Sequence, residues 1–326
     1  MRAVVLIDET LYDVEDPHFL KGPPKRESEA EFFVCESLRT LGHEVTVVPA
    51  TPDVIATIQN IQAARPDFVF NLVEEIGGHR AYDTVFVQIL EVLNIPYTGA
   101  SPETLTLTRN KHLSKLMVAE AGVEVPKGII VHDAKTASLR DVPLPAIVKP
   151  LGLDASEGVT ARSYVSSADA LQRRVSEFLR EFGGPLICEE YVPGREIIVT
   201  VSGANENVTV DSLCELAFPE TSRIKFATAR AKFDAKYRES VGIYYRTPTQ
   251  LDPPIETRVV HAARTAYEAL RINAYAKVEF RVDGDRVVFI EANANSQMSR
   301  RARSTDFASI GYDRFVEKIV KLALAR

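Results

Sequence analysis

Two carboxylates and an amide oxygen near the C-terminal end of the chain carry the clearest chemistry in the sequence. Glu279 lies in KVEFRVD, Glu291 and Asn293 lie in VVFIEAN, and Asp283-Gly284-Asp285 separates the two runs. Asp-Gly between alternating apolar runs signals a β-hairpin. Residues two apart on a strand leave the same face, so Glu291 and Asn293 point together, and antiparallel pairing can set Glu279 opposite them. Lys277 shares the face of Glu279 by the same rule. The three oxygen donors suit Mg2+ held jointly by protein and phosphates. A solvated charged hairpin explains this segment, taken alone, equally well.

Three other segments bear on the same chemistry. The loop at 152–158 follows AIVKP. Gly152 and Gly158 relieve its steric limits, Ser156 adds a hydroxyl, and backbone N–H groups in such a loop can cradle phosphate. Lys149, leaving the strand, could set a point charge there; an ordinary surface turn is the competing reading. In CEEYVPGRE, a strand edge through Glu189, Tyr191 and Val192 offers an N–H and a C=O to a purine. Glu196, beyond the Pro193-Gly194 turn, can accept from ribose hydroxyls, although a plain strand, turn and strand would look the same. Lys111, Lys115 and Lys236-Tyr237, judged singly, read as solvated-face residues.

These residues need a scaffold, and the sequence predicts an α/β one. Runs at 3–7, 45–48 and 68–72 read as strands, with helices over 29–41, 54–64 and 84–93 and an extended piece at 95–98. Alternation at this spacing indicates a doubly wound parallel sheet. After Gly99 the pattern changes to a helix over 110–121, strands at 128–131 and 146–149, and a helix over 168–182. From 185 to 293 strands dominate. An amphipathic last helix over 313–325 is expected to pack on the final sheet. The division expected is into three lobes, 1–103, 104–187 and 188–326.

Composition excludes several classes. The 326 residues carry a net charge of -6, which argues against a nucleic-acid partner needing a basic surface. No apolar run approaches the roughly 20 residues that span a bilayer. Three cysteines, odd in number and without metal spacing, suggest free thiols in a reducing compartment. MRAVVLIDET turns acidic before a signal-peptide core could develop, so a cytoplasmic protein is expected.

Taken in order, VFNLVEE, DTVFVQILEVLNIPYTGA, RNKHLSKLMVAEAGVEVP, PAIVKP with its loop, EEYVPGRE, AKY and FIEAN resemble the ATP-grasp superfamily. The resemblance is nearest to the D-alanine–D-alanine ligase branch and covers residues 66–295. It implies a three-lobed ATP-grasp fold whose two α+β lobes enclose the nucleotide. Lys111 and Lys149 would contact the phosphates, with Lys149 also near the adenine, and the Ser156 loop would cover them. Glu189, Tyr191 and Val192 would line the adenine site, Glu196 would take the ribose, and Lys236 would approach the phosphates. Glu279, Glu291 and Asn293 would ligate two Mg2+ ions, and Lys277 would stabilise the oxyanion. The implied reaction is ADP-forming. Phosphorylation turns a carboxylate into an acyl phosphate, and an amine then displaces phosphate. The implied partners are a small-molecule carboxylate and a small-molecule amine, with no nucleic acid or membrane, and a homodimer is expected.

The chain departs from the branch in three places. The turn after strand one reads IDETLYDVEDPHFLKGPPKRESEAE, with Glu9, Glu27 and Glu29 as candidates for an amino group; acidic residues favoured at a helix N-terminus are the alternative. Lys277 and Glu279 stand where the branch has arginine and aspartate, and lysine lacks the bidentate fork. After FIEAN, Arg300, Arg301 and Arg303 stand where the acceptor should sit and could recognise a carboxylate. These departures favour an amide or dipeptide-like product other than D-alanyl-D-alanine. A phosphotransferase on a small molecule and a non-catalytic nucleotide-binding relative are the other readings.

Overall fold

The structure, a computed structural model, describes residues 1–21, 29–134, 138–152, 158–247 and 249–326. Ser156 and Glu27 lie outside the described residues.

Strand β1 (Arg2–Asp8) is buried along both faces, and its side chains sort by parity. Ala3, Val5 and Ile7 pack with Phe33, Val34 and Leu38 of helix α1 (Glu29–Thr40). Val4 and Leu6 face the other way, into a core shared with helices α2 (Val54–Ala63) and α3 (Thr84–Val92). Strands β2 (Glu44–Ala50) and β3 (Phe68–Asn71) flank β1 in a parallel sheet of order β2-β1-β3. Helices on both faces of a parallel sheet make the doubly wound layer that the alternation predicts.

Two helices occupy the region where the sequence suggested one. Helix α4 (Pro102–Arg109) is capped by Ser101 and begins on Pro102. It ends at Asn110, whose non-helical backbone starts helix α5 (Lys111–Glu120) and whose side chain accepts from His112 and Leu113 N–H. That cap sets Lys111 at the first position of α5, buried at 3% exposure.

The middle sheet joins β4 (Gly128–Val131), β5 (Ala146–Pro150), β6 (Tyr164–Val165) and, beyond helix α6 (Ala168–Phe182), β7 (Leu186–Glu190), in the order β4-β7-β5-β6. Leu171, Val175 and Phe178 on α6 recur at helical spacing and cover it. β7 crosses residue 187, where a boundary was expected, because it pairs with both β4 and β5.

The third sheet is antiparallel. It contains β8 (Arg195–Ser202), β9 (Thr209–Ala217) and, after the short helices α7 (Ala229–Phe233) and α8 (Ala235–Val241), β10 (Tyr244–Arg246). Helix α9 (Pro253–Ala269) then leads to β11 (Tyr275–Asp283) and β12 (Arg286–Asn293), and the order is β10-β9-β8-β11-β12. The sequence pattern did not announce α9, because its buried stripe of Ala262, Ala263 and Ala266 has low apolar contrast. Among the described residues no helix is long and apolar enough to cross a membrane.

The chain closes with α10 (Phe307–Ile310) and α11 (Tyr312–Leu324). Helix α11 packs mainly on α1 and the first sheet, and it meets the final sheet at its edge, where Phe315 lies against Tyr275 of β11 and Lys318 pairs with Asp211 of β9 at 2.7 Å. Its stripe of Tyr312, Phe315, Val316, Ile319 and Val320 fills the same core as Val5, Ile7 and Phe33.

Within α1, Glu31 is buried beside Asp8 and Glu74, and burial with those two charges pushes its carboxyl up to about 7 from 4.5. The folded chain therefore holds this proton more tightly than the unfolded chain. The stabilisation is complete below about pH 4.5 and is lost as the pH rises through about 7. Glu31→Gln cannot ionise, so wild-type stability should fall relative to that variant by about 3 kcal/mol between acid and mildly alkaline pH. Urea denaturation of both proteins at the two pH extremes checks this.

Candidate functional site

The hairpin register puts Glu279 directly opposite Glu291 and Lys277 opposite Asn293. A bulge follows: Phe280 pairs with Phe289, so Ile290 is the extra residue on β12. Without it, strict alternation would set Phe289 on the face of Glu291. The bulge lets Ile290 and Glu291 both line the cleft while Phe280 and Phe289 stay fully buried behind them.

Two carboxylates so placed repel each other, and cations surround them. Lys232 Nζ, on α7, donates to Glu279 Oε1 and Oε2 at 2.7 and 2.8 Å and lies 3.5 Å from Glu291 Oε1. Lys111 Nζ lies 3.5 Å from Glu291 Oε2. Burial opposes the charge of Glu291, but Lys111, Lys232, Lys149 and Lys115 together hold its carboxyl well below the usual range. Burial and the neighbouring Glu291 push Glu279 up to about 7 against the pull of Lys232. The ammonium of Lys232 thus touches both carboxylates, which shows that the pair accepts positive charge. Among the described residues no group of three or more His, Cys, Asp or Glu forms a metal cage. Two carboxylates and an amide fit Mg2+ that completes its shell on phosphate and water. Asn293 Oδ1 accepts the Asn295 N–H at 2.8 Å and keeps a second lone pair.

Lys236, expected at the phosphates, is instead exposed on α8. The segment contains Ala-Lys twice, at 231–232 and 235–236, and α7 turns the earlier copy inward. Lys277 is held by Ser304 Oγ at 2.9 Å and reaches the Gln297 carbonyl at 3.4 Å. Burial pushes it down to about 8.

The far end of the cleft lies between the middle and third sheets. Ile147, Val159, Tyr191 and Phe226 make its apolar wall. Behind it, Glu189 is clamped by Lys149 at 2.5 Å and Lys115 at 2.9 Å, all three buried. Burial lowers Lys115 to about 8, whereas Glu189 is held below the usual carboxylate range by the two lysines despite its burial. Glu189 is therefore a counter-ion under the pocket wall.

Arg281, which the sequence reading did not single out, straps the turn after β7. It donates to the carbonyls of Val192 at 3.0 Å, Gly194 at 2.8 Å and Lys225 at 2.7 Å, and to Glu196 Oε2 at 3.2 Å. Glu196 Oε2 also accepts the Ala227 N–H at 2.8 Å, while the residue still lines the cleft. Gly194 is required there: its φ is +94°, and a Cβ would come within 2.1 Å of the Val282 carbonyl.

The expected substrate residues are differently used. Glu9 is exposed on a short turn, and the inward acid at the end of β1 is Asp8, one residue earlier. Glu29 accepts from Ser299 Oγ at 2.7 Å and Arg301 Nη1 at 2.9 Å. Arg300 pairs with Glu36 at 3.0 Å and Asp313 at 3.4 Å, and lies over the rings of Phe33 and Tyr312. Arg303 is exposed. Arg300 and Arg301 thus tie the loop after β12 to α1. Of the basic cluster, these two are committed to carboxylates of the chain itself.

The sequence profile described as "D-ala D-ala ligase C-terminus" matches residues 118–321, more than half of the chain. A D-alanine–D-alanine ligase of Gluconobacter oxydans is 29% identical over 296 residues, 89% of this chain and 92% of that protein. One from a Caulobacter species is 28% identical over 316 residues, 94% and 93% of the two chains. The D-alanine–D-alanine ligase of Bacillus anthracis complexed with ATP superposes with a TM-score of 0.73 at 19% identity, covering 100% of this chain and 98% of that one. The VanG D-Ala:D-Ser ligase of Enterococcus faecalis gives 0.72 at 17%, covering 99% of each. These two structural likenesses bear on the fold, while the profile match carries the kinship. On that ground the chain belongs to the D-alanine–D-alanine ligase family of ATP-grasp enzymes, which form a carbon–nitrogen bond with ATP and Mg2+.

Proposed function

We propose that this ligase phosphorylates the carboxylate of one amino-acid-like substrate and joins it to the amine of a second. The observation that carries the reading is the Glu279–Glu291 pair, set face to face and bridged by a lysine at the open end of an apolar nucleotide pocket. D-alanine is the reference substrate for both positions, since relatives are named D-alanine–D-alanine ligase. The commitment of Arg300 and Arg301 to Glu36, Asp313 and Glu29 removes one of the reasons for expecting another product.

In this reading Glu279, Glu291 and Asn293 would hold Mg2+, which would neutralise phosphate charge and orient the transferred group. The carboxylate oxygen attacks the γ-phosphorus of ATP and ADP departs. Lys111, Lys149 and Lys232 supply the positive charge along the phosphates, and Lys232 exchanges its carboxylate partners for phosphate oxygens. The amine attacks the acyl carbon, an oxyanion develops, and its collapse expels phosphate while the amine sheds a proton. Lys277, positioned by Ser304, faces that oxyanion. Ile147, Val159 and Phe226 keep water from the nucleotide end.

Amine-dependent release of ADP with an amide product separates this reaction from phosphotransfer to another acceptor. Glu291→Gln should lower amide formation by more than the roughly 10–100-fold typical of residues one shell from a metal, with ADP binding retained; turnover unchanged would remove the metal site from the reading. Lys277→Met should lower kcat by about 10²-fold or more at an unchanged KM for ATP, as expected for a group acting on the oxyanion alone. Steady-state kinetics should also rank the lysines, with Lys232→Met strongly impaired and Lys236→Met close to wild type.

A further inference from the structure

Helix α5 inverts the usual sorting of side chains. It leaves Leu113 and Leu116 in solvent, 47% and 53% exposed, and buries Lys111 and Lys115 at 3% and 4%. Lysine is seldom buried unless it is paired, so this face turns inward for its charges as well as for Val118. The two lysines are four residues apart and share that face. Lys111 reaches Glu291 of β12 in the third sheet, and Lys115 reaches Glu189 of β7 in the middle sheet. One helix thus places an ammonium on a carboxylate of each sheet that encloses the cleft.

Glu189 stands between two cations, one at each oxygen. Lys149 Nζ, from β5, is 2.5 Å from Oε1, and Lys115 Nζ is 2.9 Å from Oε2. The Lys115 contact is an ion pair without hydrogen-bond alignment, so charge alone joins the two groups. Lys149 and Glu189 line the cleft, and the Lys149 ammonium also feels the charges of Glu291 and Glu279. A buried carboxylate with a single lysine is a closed pair, because withdrawing that lysine leaves a bare charge. A second lysine removes this constraint. Lys149 can give its ammonium to another anion while Glu189 stays paired with Lys115.

We propose that Lys115 is a positioning residue for the nucleotide: by keeping Glu189 paired, it lets Lys149 turn its ammonium to a phosphate group. That Lys149 meets a phosphate rests on the ligase reading. Lys115 acts through Glu189 alone. Removing its ammonium fastens Lys149 to Glu189, so the loss falls on nucleotide binding. Removing the charge of Glu189 as well releases Lys149 again, and the loss of Lys115 then matters little.

The test is calorimetric titration of the full chain with ADP in the presence of Mg2+, for wild type, Lys115→Met, Glu189→Gln and the double variant. Lys115→Gln, uncharged but smaller and polar, serves in the same comparison should Lys115→Met not fold. Lys115→Met should weaken ADP binding by about tenfold or more. In the Glu189→Gln background the same change should cost less than about threefold, because the two sites act through one interaction. Steady-state kinetics should show Lys115→Met raising the KM for ATP more than it lowers kcat, as the loss of a binding contact does. Wild-type affinity in Lys115→Met, or an equal loss in both backgrounds, would overturn the proposal and leave the ligase reading standing. The expected pattern of affinities, with no amine-dependent ADP release from any acid–amine pair, would support the role of Lys115 and sink the ligase reading. A wild-type chain that binds no ADP would overturn both.

Discussion

Glu279 and Glu291 face each other across two hydrogen-bonded strands, and much of the surrounding chain is arranged to make that tolerable. Directly paired residues on an antiparallel ladder have Cβ atoms about 5 Å apart, a spacing at which like charges destabilise the sheet. Lys232 and Lys111 reach the pair from α7 and from the start of α5, elements distant in sequence. A site that holds two acids together in a largely buried cleft is built for a cation. The Lys232 ammonium contacts both carboxylates.

The same need for counter-charge organises the far end of the cleft. Arg281 is buried at the far side of the bulge and binds three carbonyls and Glu196, so the turn from β7 into β8 has a defined path. Gly194 passes against the Val282 carbonyl where no side chain fits. Lys115 and Lys149 share Glu189, so both ammonium groups are held in place where the cleft is buried.

The lobes are tied to one another through side chains and helices. Helix α11 returns to the first sheet, and Arg300 and Arg301 bring the loop after β12 onto α1. Asn295 Nδ2 donates to the Val73 carbonyl at 2.8 Å, beside Glu74. The loop that follows β12 is therefore held against the segment after β3.

Local pattern by itself determined the parallel sheet, the hairpin, and the common face of Lys277, Glu279, Glu291 and Asn293, because period-two alternation and an Asp-Gly turn are written in neighbouring residues. It also located the strand that carries Glu189, although β7 ends at Glu190 before Tyr191 and Val192, and the lysine at the start of α5. Only the tertiary structure decided that Lys232 and not Lys236 faces the carboxylates, since Ala-Lys occurs twice and the break at Asp234 between α7 and α8 sends the two copies in different directions. It likewise revealed the bulge at Ile290, the strap of Arg281, and the pairing of Arg300 and Arg301 with α1. Each of these joins residues far apart in sequence, and no local period reports which distant charge a side chain will meet. Helix α11 makes the same point. Its apolar stripe announced that it must be buried, but that it would be shared between α1, the first sheet and the edge of the final one depended on which faces the rest of the fold left uncovered.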